Sequence, residues 1–290
     1  MSDVYTDHMT RGEKEAQRLN KQCDLMTECI GYVLNPSISL PKAPRVADIG
    51  TGTSRFLVQV HSTVSPDAVL EGYDISSALF PPKDALPTNI TLGKHDVKQS
   101  FPQHMHGQYD VVHLRMLVAG MDPDDWEGAV NNAVQLLKPG GYLQWEECDF
   151  VTAKWISSNN DSERPEDVGE KLIRVMTGSL GKKLENGWNT LPSLMQKAGL
   201  TPIANDIATT DKTPATREGF TDIILTLTLL FARLTAQRGK PAFDQDADDL
   251  EKAAYEEVKS GCYYPYNIHV ACAQKPSTKL DHDSKKGLIS

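Results

Sequence analysis

The chain has 290 residues, a length that fits one α/β domain with additions. Its formal net charge of −9 at pH 7 argues against nucleic acid as a partner, because binding its phosphates requires clustered Lys and Arg. Its five scattered cysteines include no C-x-x-C pair, so the sequence predicts neither a zinc site nor a disulfide framework. No apolar run reaches the length of a membrane span and the N-terminus has no signal-like region, so we expect a cytoplasmic protein without a membrane partner.

The first predicted element is an amphipathic helix within residues 10–34. Apolar side chains recur there at helical spacing, with charged residues between them: Leu19, Cys23, Met26, Ile30 and Leu34. The Asn-Pro pair at 35–36 is expected to stop the helix. We therefore predict an N-terminal helical cap over residues 1–40.

A glycine turn follows a linker of residues 41–44. Residues 45–53 read R-V-A-D-I-G-T-G-T, a short apolar strand that ends in a carboxylate and runs into a Gly-x-Gly turn. Gly50 and Gly52 let the backbone turn tightly and approach a ligand closely. A dinucleotide site would favour a third glycine at position 55, where this chain has Arg55. The run indicates a nucleoside-bearing cofactor, with a purely structural turn as the alternative.

Further strand patterns follow at the spacing of alternating β and α units. We predict seven strands in all: 45–49, 68–73, 90–93, 109–114, 141–146, 201–207 and 266–273. Residues 122–125 should open a helix that residues 138–141 close, and a shorter helix should span 190–199. The order of strand, helix and strand implies right-handed crossovers. The predicted fold is α/β, with a Rossmann-like, seven-stranded, mostly parallel sheet and helices on both faces.

Two helical insertions, 148–189 and 208–262, interrupt this alternation and are predicted to form a lid on a domain spanning 41–274. The second insertion carries an apolar stripe at helical spacing: Phe220, Ile223, Ile224, Leu227, Leu230, Phe231 and Leu234. We expect the stripe to pack on the fold or on a second subunit, as in a possible homodimer, rather than on a ligand. The polar tail 275–290 is expected to be mobile.

Carboxylates at strand ends are the expected cofactor ligands. Asp74 ends the second strand about two dozen residues beyond the glycine turn, the separation at which an acidic side chain can accept hydrogen bonds from ribose hydroxyls. A helix N-cap is the alternative role for Asp74. The fourth and fifth strands read Y-D-V-V-H-L-R at 109–115 and K-P-G-G-Y-L-Q-W-E-E at 138–147.

These ordered motifs within 45–147 resemble those of class I S-adenosylmethionine (SAM) methyltransferases. Together with the leading helix motif E-A-Q-R-L-N-K-Q at 15–22, they resemble fungal natural-product methyltransferases, a group with LaeA-like regulators and the thiol-methylating enzyme of gliotoxin metabolism. The resemblance implies SAM as cofactor, Asp48 beneath its methionine portion, and Asp96 and Val97 at its adenine. The expected cofactor-binding residues are Asp48, Gly50, Thr51, Gly52, Asp74, Ile75, Asp96, Val97, Leu114 and Arg115.

Methyl transfer from a sulfonium is an in-line displacement that needs alignment more than covalent catalysis. His113 is the candidate catalytic base, unless strand alternation turns it into a hydrogen-bonded structural role. Arg115 either contacts a ligand or pairs with Glu146 or Glu147. The predicted substrate pocket has the apolar walls Met116, Trp155, Met176 and Trp188, with Tyr5 and His8 on an N-terminal flap.

The resemblance therefore implies an enzyme that methylates an O, S or N nucleophile of a small-molecule natural product. Two alternatives keep the fold and cofactor. One is a LaeA-like regulatory role, and the other is a non-methylating reaction, such as a cyclisation, that SAM supports.

Overall fold

The computed structural model describes residues 12–158, 166–239 and 241–277. The predicted flap residues Tyr5 and His8 and most of the tail 275–290 lie outside the described residues.

In the part of the chain that the structure describes, seven strands form one sheet in the order β3-β2-β1-β4-β5-β7-β6. Within this sheet β7 runs antiparallel to its neighbours, β5 and β6, and the other neighbouring strands run parallel. The strands are β1 (Arg45–Ile49), β2 (Val69–Asp74), β3 (Ile90–Lys94), β4 (Tyr109–Arg115), β5 (Leu137–Asp149), β6 (Thr201–Thr209) and β7 (Asn267–Gln274). This arrangement confirms the predicted seven-stranded, mostly parallel sheet.

The described ranges also contain seven α-helices, which lie on both faces of the sheet and in an additional layer. They are α1 (Glu13–Ile30), α2 (Arg55–His61), α3 (Asp125–Leu136), α4 (Val168–Leu180), α5 (Leu191–Lys197), α6 (Pro214–Gln237) and α7 (Ala247–Lys259). Short 3-10 turns connect some of these elements, including Val118–Gly120 after β4.

Strand alternation divides the apolar residues of β1 and β4 between two cores. Val46 and Val111 pack with α2 on one face, whereas Ala47 and Val112 pack with α3 and α5 on the other. Because successive side chains of a strand point to opposite faces, a sheet covered by helices on both sides needs such nearly continuous apolar strands.

Two predicted boundaries were wrong. Helix α1 ends at Ile30, because Gly31 adopts a left-handed conformation (φ 90°) and donates its N–H to the Thr27 carbonyl, which closes the last turn before residues 35–36. Residues 138–141 do not close α3. They belong to β5, which begins at Leu137 paired with Tyr109 and is irregular in register over this stretch.

The insertions and the N-terminal helix build the additional layer. Helices α1, α4, α6 and α7 share one buried cluster, in which Phe220, Ile223 and Ile224 of the apolar stripe are buried. By length and composition alone α6 could cross a membrane, but a core helix passes the same test, and half of its most apolar stretch is buried. These three stripe residues belong to the core, whereas Leu227, Leu230, Phe231 and Leu234 are partly exposed.

Gln144 of β5 ties the segment after α1 to the centre of the sheet. Its side chain is fully buried; its Oε1 accepts a hydrogen bond from Asn35 N (2.8 Å), and its Nε2 donates to Val33 O (3.0 Å). Buried backbone groups need such partners, so this one amide fixes where the N-terminal segment lies.

We expect Gln144→Met to lower the free energy of unfolding by about 2–4 kcal/mol. The change leaves the buried Asn35 N–H and the part-buried Val33 carbonyl without this partner, and it removes a donor to Glu146 Oε1 (2.7 Å). Gln274→Met is the control, since Gln274 makes a single, half-buried bond to Gly140 O, and it should cost less than about 1 kcal/mol. Urea unfolding of both variants measures the difference. Equal losses would contradict the anchoring role of Gln144.

Candidate active site

Three adjoining cavities lie where β1, β2 and β4 end. Cavity 1 has a volume of about 300 Å³, cavity 2 about 170 Å³ and cavity 3 about 90 Å³. Leu19 of α1 and Met116, directly after β4, line all three. Ligands of open α/β sheets bind outside the carboxyl ends of the strands, so the cavities occupy the expected place.

The glycine turn after β1 forms one wall of cavities 2 and 3. Gly50 has φ +75°, and its N–H donates to the Tyr73 carbonyl across the β1–β2 crevice (2.7 Å). A Cβ at Gly50 would lie 2.4 Å from Leu117 Cδ2, so only glycine fits without displacing that side chain. The turn brings the backbone close to the cavity wall.

Asp74 closes the same turn from β2 and lines cavity 2. Its Oδ2 accepts a hydrogen bond from Gly52 N (3.0 Å) and its Oδ1 accepts one from Ser76 N (3.0 Å). The carboxylate therefore organises both loops that border the cavity. Ser76, rather than Asp74, is the N-cap of the following 3-10 turn.

The segment after β3 supplies another part of the wall of cavity 2. Asp96 and Val97 line it after β3, together with Ile75 and His95. The His95 ring packs on Phe101, with centroids 3.9 Å apart. A carboxylate beside apolar and aromatic walls can hold a flat, hydrogen-bonding ring.

A buried hydrogen-bonded pair lies beneath cavity 3. Asp48 Oδ1 is 2.7 Å from His113 Nδ1 and Asp48 Oδ2 accepts a hydrogen bond from Thr51 Oγ1 (2.6 Å). The His113 ring is fully buried, stacks on Phe56 (3.4 Å between centroids) and has Nε2 3.5 Å from Glu146 Oε1. Both oxygens of Asp48 are thus fixed by neighbouring side chains.

Arg115 and Glu146 form a buried ion pair next to this histidine. Arg115 Nε donates to Glu146 Oε2, and Nη1 lies 3.2 Å from Cys23 Sγ of α1. Burial by itself would raise the pKa of Glu146, but the Arg115 charge and the contact with His113 hold that pKa down to about 2. Glu146 is therefore ionised, and of the two predicted partners for Arg115 it is the one used.

Cavity 1 differs from the other two because its walls are mostly apolar. Met176 of α4, Phe150 after β5 and three residues of α6, Ile224, Leu227 and Phe231, face it. Met116 reaches it from an unusual backbone conformation, with φ 56° in a non-glycine residue. Such strained residues cluster at ligand sites, where the surrounding structure holds them in place.

The structure places most of the predicted cofactor residues around cavities 2 and 3. Those lining at least one of the two are Asp48, Gly50, Thr51, Gly52, Asp74, Ile75, Asp96, Val97 and Arg115. Of the predicted substrate residues within the described part of the chain, Met116 and Met176 line cavity 1.

Three predicted residues line none of these cavities. Leu114 points into the core opposite to His113 and Arg115, because side chains alternate along β4. Trp155 covers Gly169 and donates its indole N–H to Asp167 (2.9 Å), which anchors the start of α4. The remaining one is Trp188, which packs on His269 at 5.1 Å between centroids and donates to a backbone carbonyl. The two tryptophans are packing residues.

His113 is placed differently from a base that touches a substrate. It lines cavity 3 but not cavity 1, and its ring has no exposed surface. Its contacts fix Asp48 instead, which corresponds to the hydrogen-bonded role that strand alternation offered.

Sequence reasoning missed the contributions of α1 and of the loop after β4. Leu19 and Gln22 line the cavities from α1, and Leu117 lines cavity 2. The apolar spacing from Leu19 to Leu34 and the E-A-Q-R-L-N-K-Q motif both signalled α1 as a helix. Neither assigned Leu19 or Gln22 to a cavity, because helical periodicity alone does not show what a helix face packs against. Leu227 and Phe231 belong to the predicted apolar stripe, which was expected to pack on the fold or on a second subunit. The structure places both in the wall of cavity 1 instead.

The sheet order and the D-x-G-x-G turn at its first strand end define a methyltransferase-type cofactor site. The family model described as "Methyltransferase domain" matches residues 17–180, more than half of the chain. The chain belongs to this methyltransferase domain family. It is a SAM-dependent methyltransferase, so the predicted family, enzyme class and cofactor are confirmed.

Similar proteins agree with this assignment. Methyltransferase grgD of Penicillium sp is 28% identical over 284 residues, which cover 92% of this chain and 96% of that protein. N-methyltransferase tcpN of Claviceps purpurea is 28% identical over 267 residues, covering 89% of this chain and 93% of that protein. The chain therefore resembles fungal methyltransferases over nearly its full length.

A solved structure shows the same fold. Haemonchus contortus phosphoethanolamine N-methyltransferase 2, in complex with phosphomonomethylethanolamine and S-adenosylhomocysteine, has a TM-score of 0.52 at 15% identity. The match covers 94% of this chain, which spans 60% of that protein's length.

Glu147 is a second buried carboxyl group at the end of β5. Its Oε1 accepts hydrogen bonds from Leu117 N (2.8 Å) and Trp145 Nε1 (2.9 Å), so it holds the loop after β4. Burial raises the pKa of Glu147 from its ordinary value of 4.5 to about 7. The folded protein thus retains this proton at pH values where the unfolded chain has lost it.

Glu147→Gln should remove one source of pH-dependent stability. Because the pKa of Glu147 is higher in the folded state, its contribution falls as pH rises from about 4.5 to about 7. We expect the stability of the variant relative to the wild type to improve by about 2–3 kcal/mol between pH 5 and pH 8. Urea unfolding at both pH values measures this change, with the exposed Glu185→Gln as control. Parallel pH curves for the wild type and Glu147→Gln would contradict a buried, neutral Glu147.

Proposed function

We propose that the protein transfers the methyl group of SAM to an O, S or N nucleophile of an uncharged, mostly apolar natural product. One observation carries the proposal: Leu19 and Met116 border all three cavities, so an apolar cavity adjoins the two cavities that the glycine turn lines. A methyl donor in the turn and an acceptor in cavity 1 would be neighbours.

The residues present fit the cofactor. Asp74 would hold the ribose hydroxyls, Asp96 and Val97 the adenine, and the fixed carboxylate of Asp48 the ammonium group. Arg115 adds a donor, because its Nη2 is buried, has no hydrogen-bond partner in the described part of the chain, and belongs to a side chain that lines cavities 2 and 3. An anionic group such as the carboxylate of the methionine portion would satisfy it.

SAM supplies a methyl group already activated on a sulfonium, so the protein's part is to bind, align and exclude water. The predicted cap over 1–40 and the lid insertions 148–189 and 208–262 would cover the bound ligands and exclude water. Their helices α1, α4 and α6 supply walls of cavity 1. We assign no proton transfer to His113, whose contacts position Asp48 instead.

The acceptor is a small molecule, in line with the size of cavity 1. The name of the Claviceps relative supports nitrogen as one acceptor atom, and the site itself is compatible with sulfur and oxygen. The absence of a nucleic acid or membrane partner, the homodimer and the cytoplasmic location remain predictions.

Asp74→Asn should weaken the binding of SAM and S-adenosylhomocysteine roughly tenfold to a hundredfold, because hydrogen bonds to a charged acceptor become hydrogen bonds to a neutral one. Titration calorimetry measures both affinities. Asp84→Asn is the matched control, since it makes the same charge change at an exposed position in the next loop. Unchanged affinity in Asp74→Asn would remove the ribose contact from the proposal.

Methyl release from labelled SAM against a panel of thiols, phenols and amines tests turnover. Among acceptors that react, a carboxylated analogue should be at least about tenfold poorer in kcat/KM, because burying its charge in an apolar cavity is costly. Thiophenol and 4-mercaptobenzoate form one such pair. Equal rates for the pair would rule out cavity 1 as the acceptor site. A product formed without consumption of SAM would instead favour the non-methylating alternative.

A further inference from the structure

A buried polar group interrupts the apolar wall of cavity 1. On α1, Arg18 Nη2 and Nε form two hydrogen bonds to the carboxylate of Glu15 (2.7 and 2.9 Å), and Arg18 Nη1 donates to Gln22 Oε1 (2.8 Å). All three residues are less than a tenth exposed. Burying a charged pair is costly, and these contacts do not explain why it lies beside a ligand cavity.

The arginine fixes the direction of the Gln22 amide. A guanidinium has only donors, so the atom of Gln22 that faces it must be the carbonyl oxygen. The amide nitrogen, Nε2, therefore points away from Arg18. Gln22 lines both cavity 1 and cavity 3, and no group in the described ranges accepts a hydrogen bond from Nε2.

The other neutral polar side chains that line cavity 1 use their donors locally. Thr177 Oγ1 donates to Ile173 O (2.9 Å), and Ser179 Oγ donates to Met176 O (2.6 Å), both within α4. Among the described side chains that line this cavity, Gln22 therefore has the one neutral donor, Nε2, that remains available to a ligand. Its partner must offer an oxygen or nitrogen lone pair.

The cofactor and the substrate are the two ligands that could supply this lone pair, and the charges of the site indicate which of them Gln22 contacts. A carboxylate of the cofactor is better served by Arg115, a cation whose Nη2 is unpartnered and which does not line cavity 1. The neutral amide of Gln22 matches a neutral acceptor, such as a carbonyl oxygen, in the apolar cavity.

We propose that Gln22, oriented by Arg18 and Glu15, donates a hydrogen bond to a carbonyl oxygen of the substrate and so sets its orientation before methyl transfer. This inference rests on the proposed function and narrows its substrate class. The substrate is an apolar molecule that carries a carbonyl group near the atom to be methylated. Gln22 is a substrate-binding residue, and Arg18 and Glu15 are positioning residues.

Two probes that differ by one carbonyl group test the inference. They are 3-acetylthiophenol and 3-ethylthiophenol, titrated into protein saturated with S-adenosylhomocysteine, so that binding is measured without turnover. Wild-type protein should bind the acetyl probe roughly fivefold to tenfold more tightly, the value of one neutral hydrogen bond. In Gln22→Met the two dissociation constants should become equal.

Gln17→Met is the matched control, because Gln17 lies on the exposed face of the same helix and bonds only to Glu13. It should keep the preference of the wild type. Gln22→Glu is the second test variant, since it keeps an oxygen for Arg18 and replaces the amide donor by a charged acceptor oxygen. It should also lose the preference, and thermal unfolding of each variant shows that the comparison uses folded protein.

Two results would overturn the inference. They are equal affinity of wild-type protein for both probes, and a preference for the acetyl probe that persists in both Gln22 variants. If the second result came with a tenfold loss of S-adenosylhomocysteine affinity in those variants, it would place the amide on the cofactor. A failure of the proposed function is distinguishable, because it would show as no binding of S-adenosylhomocysteine by the wild type.

Discussion

The contact between Asp48 at the end of β1 and His113 on β4 is the interaction on which the site depends. The two strands are adjacent and parallel, and Asp48 and His113 are register partners, so the contact runs directly across the sheet. It holds a carboxylate in the wall of cavity 3 in one orientation. The contact proposed between Asp48 and the ammonium group of the cofactor depends on this fixed orientation.

The same contact begins a buried polar chain that reaches the N-terminal helix. His113 adjoins Glu146, Glu146 pairs with Arg115, and Arg115 contacts Cys23 of α1. Buried charges are costly unless each finds a partner, so the charged members of the chain constrain one another. The carboxyl ends of β1, β4 and β5 are thereby linked to the helix that covers them.

Helix α1 has two functions in this architecture. Its buried face packs in the additional layer. Its residues Leu19 and Gln22 line the cavities, Leu19 all three and Gln22 cavities 1 and 3. The buried Arg18–Glu15 pair lies in a mostly apolar wall, and its hydrogen bond to Gln22 fixes the direction of that neutral amide.

The sequence by itself determined the sheet and the cofactor turn. Strands buried on both faces give continuous apolar runs, and the Gly-x-Gly turn and the strand-end acids are local features. The sequence could therefore predict β1 to β4 and nine cofactor residues that line cavities 2 and 3. Most of the wall of cavity 1 could not be predicted. Met116 and Met176 were expected there, but Leu19, Gln22 and Phe231 come from helices distant in sequence that only tertiary packing brings together. Tertiary structure likewise placed Leu114, Trp155 and Trp188 away from the cavities, since strand alternation and indole hydrogen bonds act on side chains that composition alone cannot orient.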